Sequence, residues 1–164
     1  KLLSEIVKAI KEIVEPKPVA VKISPDIGAP VGLALTAQSA GADAITAINT
    51  VISRPVEETL DIPLLGNPLG YGGKSGKDLT VGGKQIVFQL YRELEIPIIA
   101  VGGIFSVQDV IDYARNGARL FQVGSALVSE GIKVFARLKG DLKEYLDTNE
   151  YKDLGGMVGE VHRR

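Results

Sequence analysis

The chain has 164 residues, 45% hydrophobic and 24% charged, and its 19 Lys and Arg nearly balance 20 Asp and Glu for a net charge of −1. That length supports one domain with a sizeable core, and the balanced charge offers no basic surplus for nucleic acid or an anionic membrane. The sequence has no cysteine, which excludes disulfides, zinc ribbons, thiolate nucleophiles and cysteine-ligated iron–sulfur clusters within it. The elements read in chain order as follows. Leu2, Leu3, Ile6, Val7, Ile10, Ile13 and Val14 recur at helical spacing, and Pro16 and Pro18 end that helix. The run 19–24, Val-Ala-Val-Lys-Ile-Ser, is too short for a helix and rich in β-branched residues, so it predicts a buried strand. A polar turn over 26–28 leads to a second helix over 30–40, closed by Gly41, and then to a strand over 44–49.

From residue 50 to about 80 no period appears and Gly and Pro are dense, the mark of a lid or binding loop. A third helix carries Ile86, Val87, Leu90, Tyr91 and Leu94 on one face. A strand over 97–101 ends in Gly102-Gly103, and Ser106 with Asp109 forms a capping box for the next helix. Asn116-Gly117 ends that helix, a strand over 120–123 runs into Gly124-Ser125, and a last helix spans 129–139 before Gly140 breaks it. The string is one helix, then four βα units and a short tail, all within a single segment 1–164. Alternation of this kind means parallel strands with right-handed crossovers. The fold class is α/β, parallel (β/α) units forming half of a TIM-type barrel; the doubly wound competitor lacks its Gly-x-Gly-x-x-Gly fingerprint. The opening Lys1, already inside a helical pattern, leads us to expect a piece of a longer protein.

Two successive strand ends carry Gly102-Gly103 and Gly124-Ser125. Barrels commonly hold a phosphate on the loops after their last two strands, where the absence of a Cβ lets backbone N–H groups approach the oxygens. Lys22 interrupts an apolar strand near its C-terminal end, where a buried ammonium requires an anion; the bland reading is a lysine snorkelling to the rim. Asn49 and Thr50 close the second strand at the same rim. A buried amide there could recognise a carboxylate or imide, or Asn49 could simply form a turn. The run Gly66-Asn-Pro-Leu-Gly-Tyr-Gly-Gly-Lys-Ser-Gly76 suits a loop folding over a flat ligand. Asp43 precedes its strand and reads as structural, and Glu57, Glu58 and Asp61 read as solvated. His162, the single histidine, lies two residues from the end of the sequence, so we expect no histidine general base in a packed site. The longest nearly uncharged stretch, 96–107, is too short to span a bilayer, and no signal or lipidation motif occurs, so we expect a cytoplasmic protein without membrane partners.

Val21-Lys-Ile-Ser-Pro25, Gly41-Ala-Asp-Ala-Ile-Thr-Ala-Ile-Asn-Thr50, Gly72-Gly-Lys-Ser-Gly76, Ile98-Ile-Ala-Val-Gly-Gly-Ile104 and Gln122-Val-Gly-Ser125 occur in that order. Over almost the whole chain this resembles the C-terminal half of the dihydroorotate dehydrogenase family, flavin-dependent barrel enzymes of pyrimidine biosynthesis. A similar domain of dihydropyrimidine dehydrogenase and a non-catalytic phosphate-binding half-barrel are the alternatives. The resemblance implies FMN as cofactor and oxidation of dihydroorotate to orotate. It implies that Lys22 lies by the flavin's pyrimidine edge, Asn49 and Thr50 contact substrate or flavin, and Gly76 packs near the cofactor. It further implies that Gly102, Gly103, Gly124 and Ser125 hold the FMN phosphate. Lys74 departs from the leucine more usual in the family. The family's catalytic base, a Cys or Ser, lies on a loop about thirty residues or more before the strand lysine, so we expect no catalytic residue in this chain. The expected partners are the N-terminal half-barrel, a further copy in a homo-oligomer, and an iron–sulfur flavoprotein that transfers electrons.

Overall fold

The computed structural model describes residues 1–26, 28–57, 62–64 and 69–163. Helix α1 (Leu2–Val14) puts Val7 in the core and packs on α2 (Pro30–Ser39), which begins with its proline and buries Ala34 and Ala37. Between them runs β1 (Ala20–Ile23). Strand β2 (Ala44–Ala47) follows α2 through Gly41, whose φ of 98° is of the left-handed kind that suits glycine. Asp43 is structural as expected. Its Oδ2 accepts from Lys11 Nζ at 2.8 Å and from the Val19 N–H at 2.6 Å, fastening the start of both strands to α1. Those two donors hold the Asp43 carboxyl below its ordinary range.

The region 50–80 is not a structureless loop. It contains β3 (Val51–Ser53) paired antiparallel with β6 (Gly72–Lys74), and a short pair formed by β4 (Val56–Glu57) and β5 (Ile62–Pro63). Alternation is too brief in two- and three-residue strands to register as a period, which is why the sequence shows none. Glu58, Asp61 and the 66–68 part of the glycine-rich run lie outside the described residues, as does the side chain of Glu57.

Helix α3 (Leu79–Glu93) leads to β7 (Ile98–Val101), α4 (Val107–Arg115) and β8 (Ala118–Gln122). The capping box on α4 forms as predicted: Ser106 Oγ accepts from the Asp109 N–H, and Asp109 Oδ2 accepts from the N–H groups of Phe105 and Ser106. Next come α5 (Ala126–Glu130) and α6 (Lys133–Thr148). The break expected at Gly140 falls instead at Gly131, where φ is 61°; α6 runs through Gly140, because one mid-helix glycine costs only about 1 kcal/mol. A tail of two 3-10 turns, Leu154–Met157 and Glu160–His162, returns onto α4. His162 stacks on Phe88 at a centroid distance of 4.3 Å, a packing role.

Strands β1, β2, β7 and β8 form one parallel sheet in that order. The order never reverses, and α1, α2, α3 and α4 contact one another in succession. A doubly wound sheet must reverse its order at a switch point to place helices on both faces; this sheet is built of parallel β/α units of the TIM-barrel kind. Ile23, Ala47 and Ala100 share a register row and are buried with the helix layer. The neighbouring row, Lys22–Thr46–Ile99–Leu120, points to the opposite face and is exposed at both ends. Strand β1 is therefore an edge strand rather than the buried strand expected, and β8 forms the other edge.

Candidate functional site

The C-terminal ends of the four strands and the turn after β6 enclose a cavity of about 180 Å³. It is lined by Lys22 from β1, Ile48 and Thr50 after β2, and Ser75, Gly76 and Leu79 between β6 and α3. Val101, Gly102, Gly103, Ile104 and Phe105 contribute from β7 and its turn, and Gln122, Gly124 and Ser125 from β8 and its turn. Seven residues singled out in sequence thus meet at one place: Lys22, Thr50, Gly76, Gly102, Gly103, Gly124 and Ser125. Parallel strands gather their C-terminal ends on one rim, so residues up to about a hundred positions apart converge there.

Two residues sit differently from what their neighbours in sequence suggest. Lys22 is exposed, because β1 is an edge strand and its side chain lies on the face without helices. Its ammonium has no ion-pair partner among the described residues, and it is the single charged side chain lining the cavity among them. Asn49 is exposed as well and does not line the cavity. Its Oδ1 accepts from the Thr50 N–H at 2.9 Å, the turn-forming role, because the chain leaves the sheet there to enter β3. Asp26 Oδ2, accepting from the Ile52 N–H at 2.7 Å, ties that departure to the turn after β1. Gly73 makes room for Thr50, since a Cβ there would meet the Thr50 Oγ1 at 2.3 Å. Lys74 turns away to an ion pair with Asp78 at 2.7 Å, whose hydrogen bond draws the Asp78 carboxyl below its ordinary range.

The glycine pairs differ in what they accommodate. Gly102 and Gly103 have φ of 115° and 72°, a left-handed turn that other residues rarely adopt. A Cβ on Gly103 would strike Thr80 Oγ1 at 2.1 Å and the Thr80 N at 2.7 Å, so the lack of a side chain there lets the turn lie against the first turn of α3. The space at Gly103 is thus filled by protein. Gly124 is the open position, since a Cβ there would meet nothing within 4 Å. The backbone N–H groups of Gly103, Ile104, Gly124 and Ser125 find no acceptor among the described residues, although Gly103 and Ile104 are buried. Amides on a cavity wall without a protein acceptor are donors open to a bound acceptor. An oxyanion in the cavity, with Lys22 at its rim, suits this donor set, and the volume suits a phosphate and the chain attached to it. Helix α5 has only five residues, so amides rather than a helix dipole carry the attraction.

Sequence reasoning missed Ser75 and Gln122 on the wall, and Thr80 and Tyr113 behind the turn. Tyr113 is fully buried, and its Oη donates to the Gly102 carbonyl at 2.8 Å. Burial, with the Asp109 carboxylate adding to it, pushes the Tyr113 hydroxyl far above its usual value and keeps it protonated. Thr80 Oγ1 lies 2.8 Å from the Gly103 carbonyl and 2.6 Å from that of Lys77. Among the described residues no group of side chains could hold a metal ion, and no helix is long and apolar enough to cross a membrane.

Sequential parallel β/α units with paired glycines at the rim define the class: (β/α)-barrel proteins whose site lies at the C-terminal ends of the strands. Within it, the family model for dihydroorotate dehydrogenase matches residues 1–146, and the chain belongs to that family. The chain is 33% identical over 159 residues to the catalytic subunit of dihydroorotate dehydrogenase B (NAD(+)) from Pyrococcus horikoshii, covering 97% of this chain and 52% of the relative. The subunit of the same name from Methanosarcina acetivorans is 35% identical over 161 residues (98% of this chain, 50% of the relative). That from Desulforudis audaxviator is 37% identical over 147 residues (89% and 47%). The chain spans about half the length of the curated relatives it matches.

Proposed function

We propose that this chain is the C-terminal, FMN-binding half of a dihydroorotate dehydrogenase that oxidises dihydroorotate to orotate in pyrimidine biosynthesis. The observation that carries the reading is the convergence of Lys22, Thr50, Gly76 and the two glycine turns on one cavity, where the amides of Gly103, Ile104, Gly124 and Ser125 lack acceptors among the described residues. The amides of Gly103, Ile104, Gly124 and Ser125 would hold the FMN phosphate, which takes four donors at one anion without requiring a cationic side chain. Lys22 would stand at the flavin ring, and as the cavity's lone charge among the described residues it offsets negative charge that develops beside it. Thr50 would contact the substrate or the ring from the cavity wall, and Asn49, exposed beyond that wall with its Oδ1 on the Thr50 N–H, would reach the substrate through its Nδ2 group where the ligand extends out of the cavity. When bound, FMN supplies the acceptor for a hydride equivalent.

The base that removes the accompanying proton is proposed to lie outside these 164 residues, on the half-barrel that completes the sheet at the β1 and β8 edges. The relatives' names, catalytic subunit and NAD(+), support a separate electron-transfer subunit; a homo-oligomer and a cytoplasmic setting are part of the same proposal. The test is purification of the full-length protein and its assay with dihydroorotate. Bound FMN, released on denaturation, and formation of orotate are expected. A protein that holds flavin but makes no orotate would be the non-catalytic module or the dihydropyrimidine dehydrogenase-like alternative. One that holds no flavin overturns the proposal.

A further inference from the structure

The Gly102-Gly103 turn does not hold its own shape, because neither residue has a side chain and both sit at positive φ. What fixes it comes from the helices behind. Tyr113 reaches from α4 to donate from Oη to the Gly102 carbonyl at 2.8 Å, and Thr80, in the first turn of α3, brings Oγ1 to 2.8 Å from the Gly103 carbonyl. A carbonyl and the following N–H belong to one planar trans peptide and point in opposite directions. Holding the Gly102 carbonyl toward the helix layer therefore turns the Gly103 N–H away from it; Thr80 shares its one hydroxyl proton between the Gly103 carbonyl and the nearer Lys77 carbonyl at 2.6 Å, so it supports the next peptide more weakly. Gly103 and Ile104 are both cavity-lining residues whose amides have no acceptor among the described residues.

The path of the Tyr113 hydroxyl is itself prepared. It passes over Gly83 in α3, where a Cβ would lie 2.0 Å from Tyr113 Oη and 3.0 Å from its Cζ. Tyr113 is also fully buried, so its hydroxyl has no water to turn to in place of the Gly102 carbonyl.

We infer that Tyr113, seated over Gly83 and assisted by Thr80, is a positioning residue that aims the amides of the Gly102-Gly103 turn at the phosphate of the bound cofactor. The inference rests on the FMN reading above. Tyr113→Phe removes the donor while keeping the ring that packs the core. The measurement, on the full-length protein, is the dissociation constant of FMN beside that of riboflavin, which has the same ring and ribityl chain but no phosphate.

The wild-type protein binds FMN much more tightly than riboflavin, and Tyr113→Phe weakens FMN about tenfold, the worth of one ordinary hydrogen bond, with riboflavin unchanged. The 31P resonance of bound FMN shifts in the same variant. Gly83→Ala, which pushes the hydroxyl off its path, reproduces the selective loss and adds little to it in the Tyr113→Phe background. Equal weakening of FMN and riboflavin, or an unchanged ratio, overturns the positioning role while leaving the phosphate site standing. A wild-type protein that binds riboflavin as tightly as FMN refutes the phosphate reading, and this inference with it.

Discussion

Substituting valine at Gly124 and at Gly103 separates a ligand contact from a packing contact at the same cavity. A Cβ at Gly124 meets no protein atom within 4 Å, and φ there lies outside the left-handed region, so Gly124→Val is expected to fold with near-wild-type stability. Its isopropyl group fills the space from which the Gly124 and Ser125 amides would reach a phosphate. Two charge-assisted hydrogen bonds, each worth about 1.5–3 kcal/mol, would be lost, which raises the dissociation constant of FMN by roughly 10²–10⁴-fold. Gly103→Val behaves differently. Its φ of 72° costs a branched residue about 1–2 kcal/mol, and contacts of 2.1 Å and 2.7 Å with Thr80 add overpacking of about 1–3 kcal/mol. The Gly103 variant should therefore lose about 2–5 kcal/mol of stability whether or not cofactor is present. Fluorescence titration with FMN and chemical denaturation of the apoprotein measure the two effects. A folded Gly124→Val protein with native FMN affinity refutes the phosphate assignment, and a Gly103→Val protein of wild-type stability refutes the packing argument.

Lys22→Ala in the full-length protein should slow flavin reduction in stopped-flow; a rate within about a factor of two of wild type would remove Lys22 from the chemistry. At Asp109, burial works to raise the carboxyl, but donors from Phe105 and Ser106 and the charge of Lys77 overcome it and hold it below its ordinary range. Its contribution is thus present above the unfolded value of about 3.9 and is lost as pH falls through that value toward the folded one. Asp109→Asn should flatten the acid limb of the stability–pH curve and cost about 1–3 kcal/mol at neutral pH, and an unchanged acid limb by urea denaturation would contradict this. The 164-residue chain by itself should self-associate, because β1 and β8 are unpaired edges and Leu2, Ile13, Val128 and Ile132 are 69%, 81%, 92% and 82% exposed. Sedimentation showing a compact monomer at every concentration would refute it.

What the amino-acid order determined by itself was local. The helix over 2–14 follows from a 3.6-residue repeat, the start of α2 from its proline, and the capping box of α4 from Ser106 and Asp109, three residues apart. The βα alternation implies parallel strands, and parallel strands imply one functional rim, so all seven residues proposed for the cofactor line one cavity. Tertiary structure decided the rest. Lys22 reads as buried because its neighbours are apolar, but exposure depends on whether another strand pairs with β1, which no local pattern encodes. Asn49 reads as a ligand contact because it ends a strand, yet the direction in which the chain leaves for β3 takes it off the cavity wall. Gly140 reads as a helix break, but α6 packs against α4 and α5, and such contacts outweigh a propensity deficit of about 1 kcal/mol. The hydroxyl of Tyr113 on the Gly102 carbonyl, and the glycine on α3 that lets it pass, join residues 83, 102 and 113. Their spacing carries no motif, because what relates them is the stacking of two helices behind one strand end, and that stacking exists only once the sheet has formed.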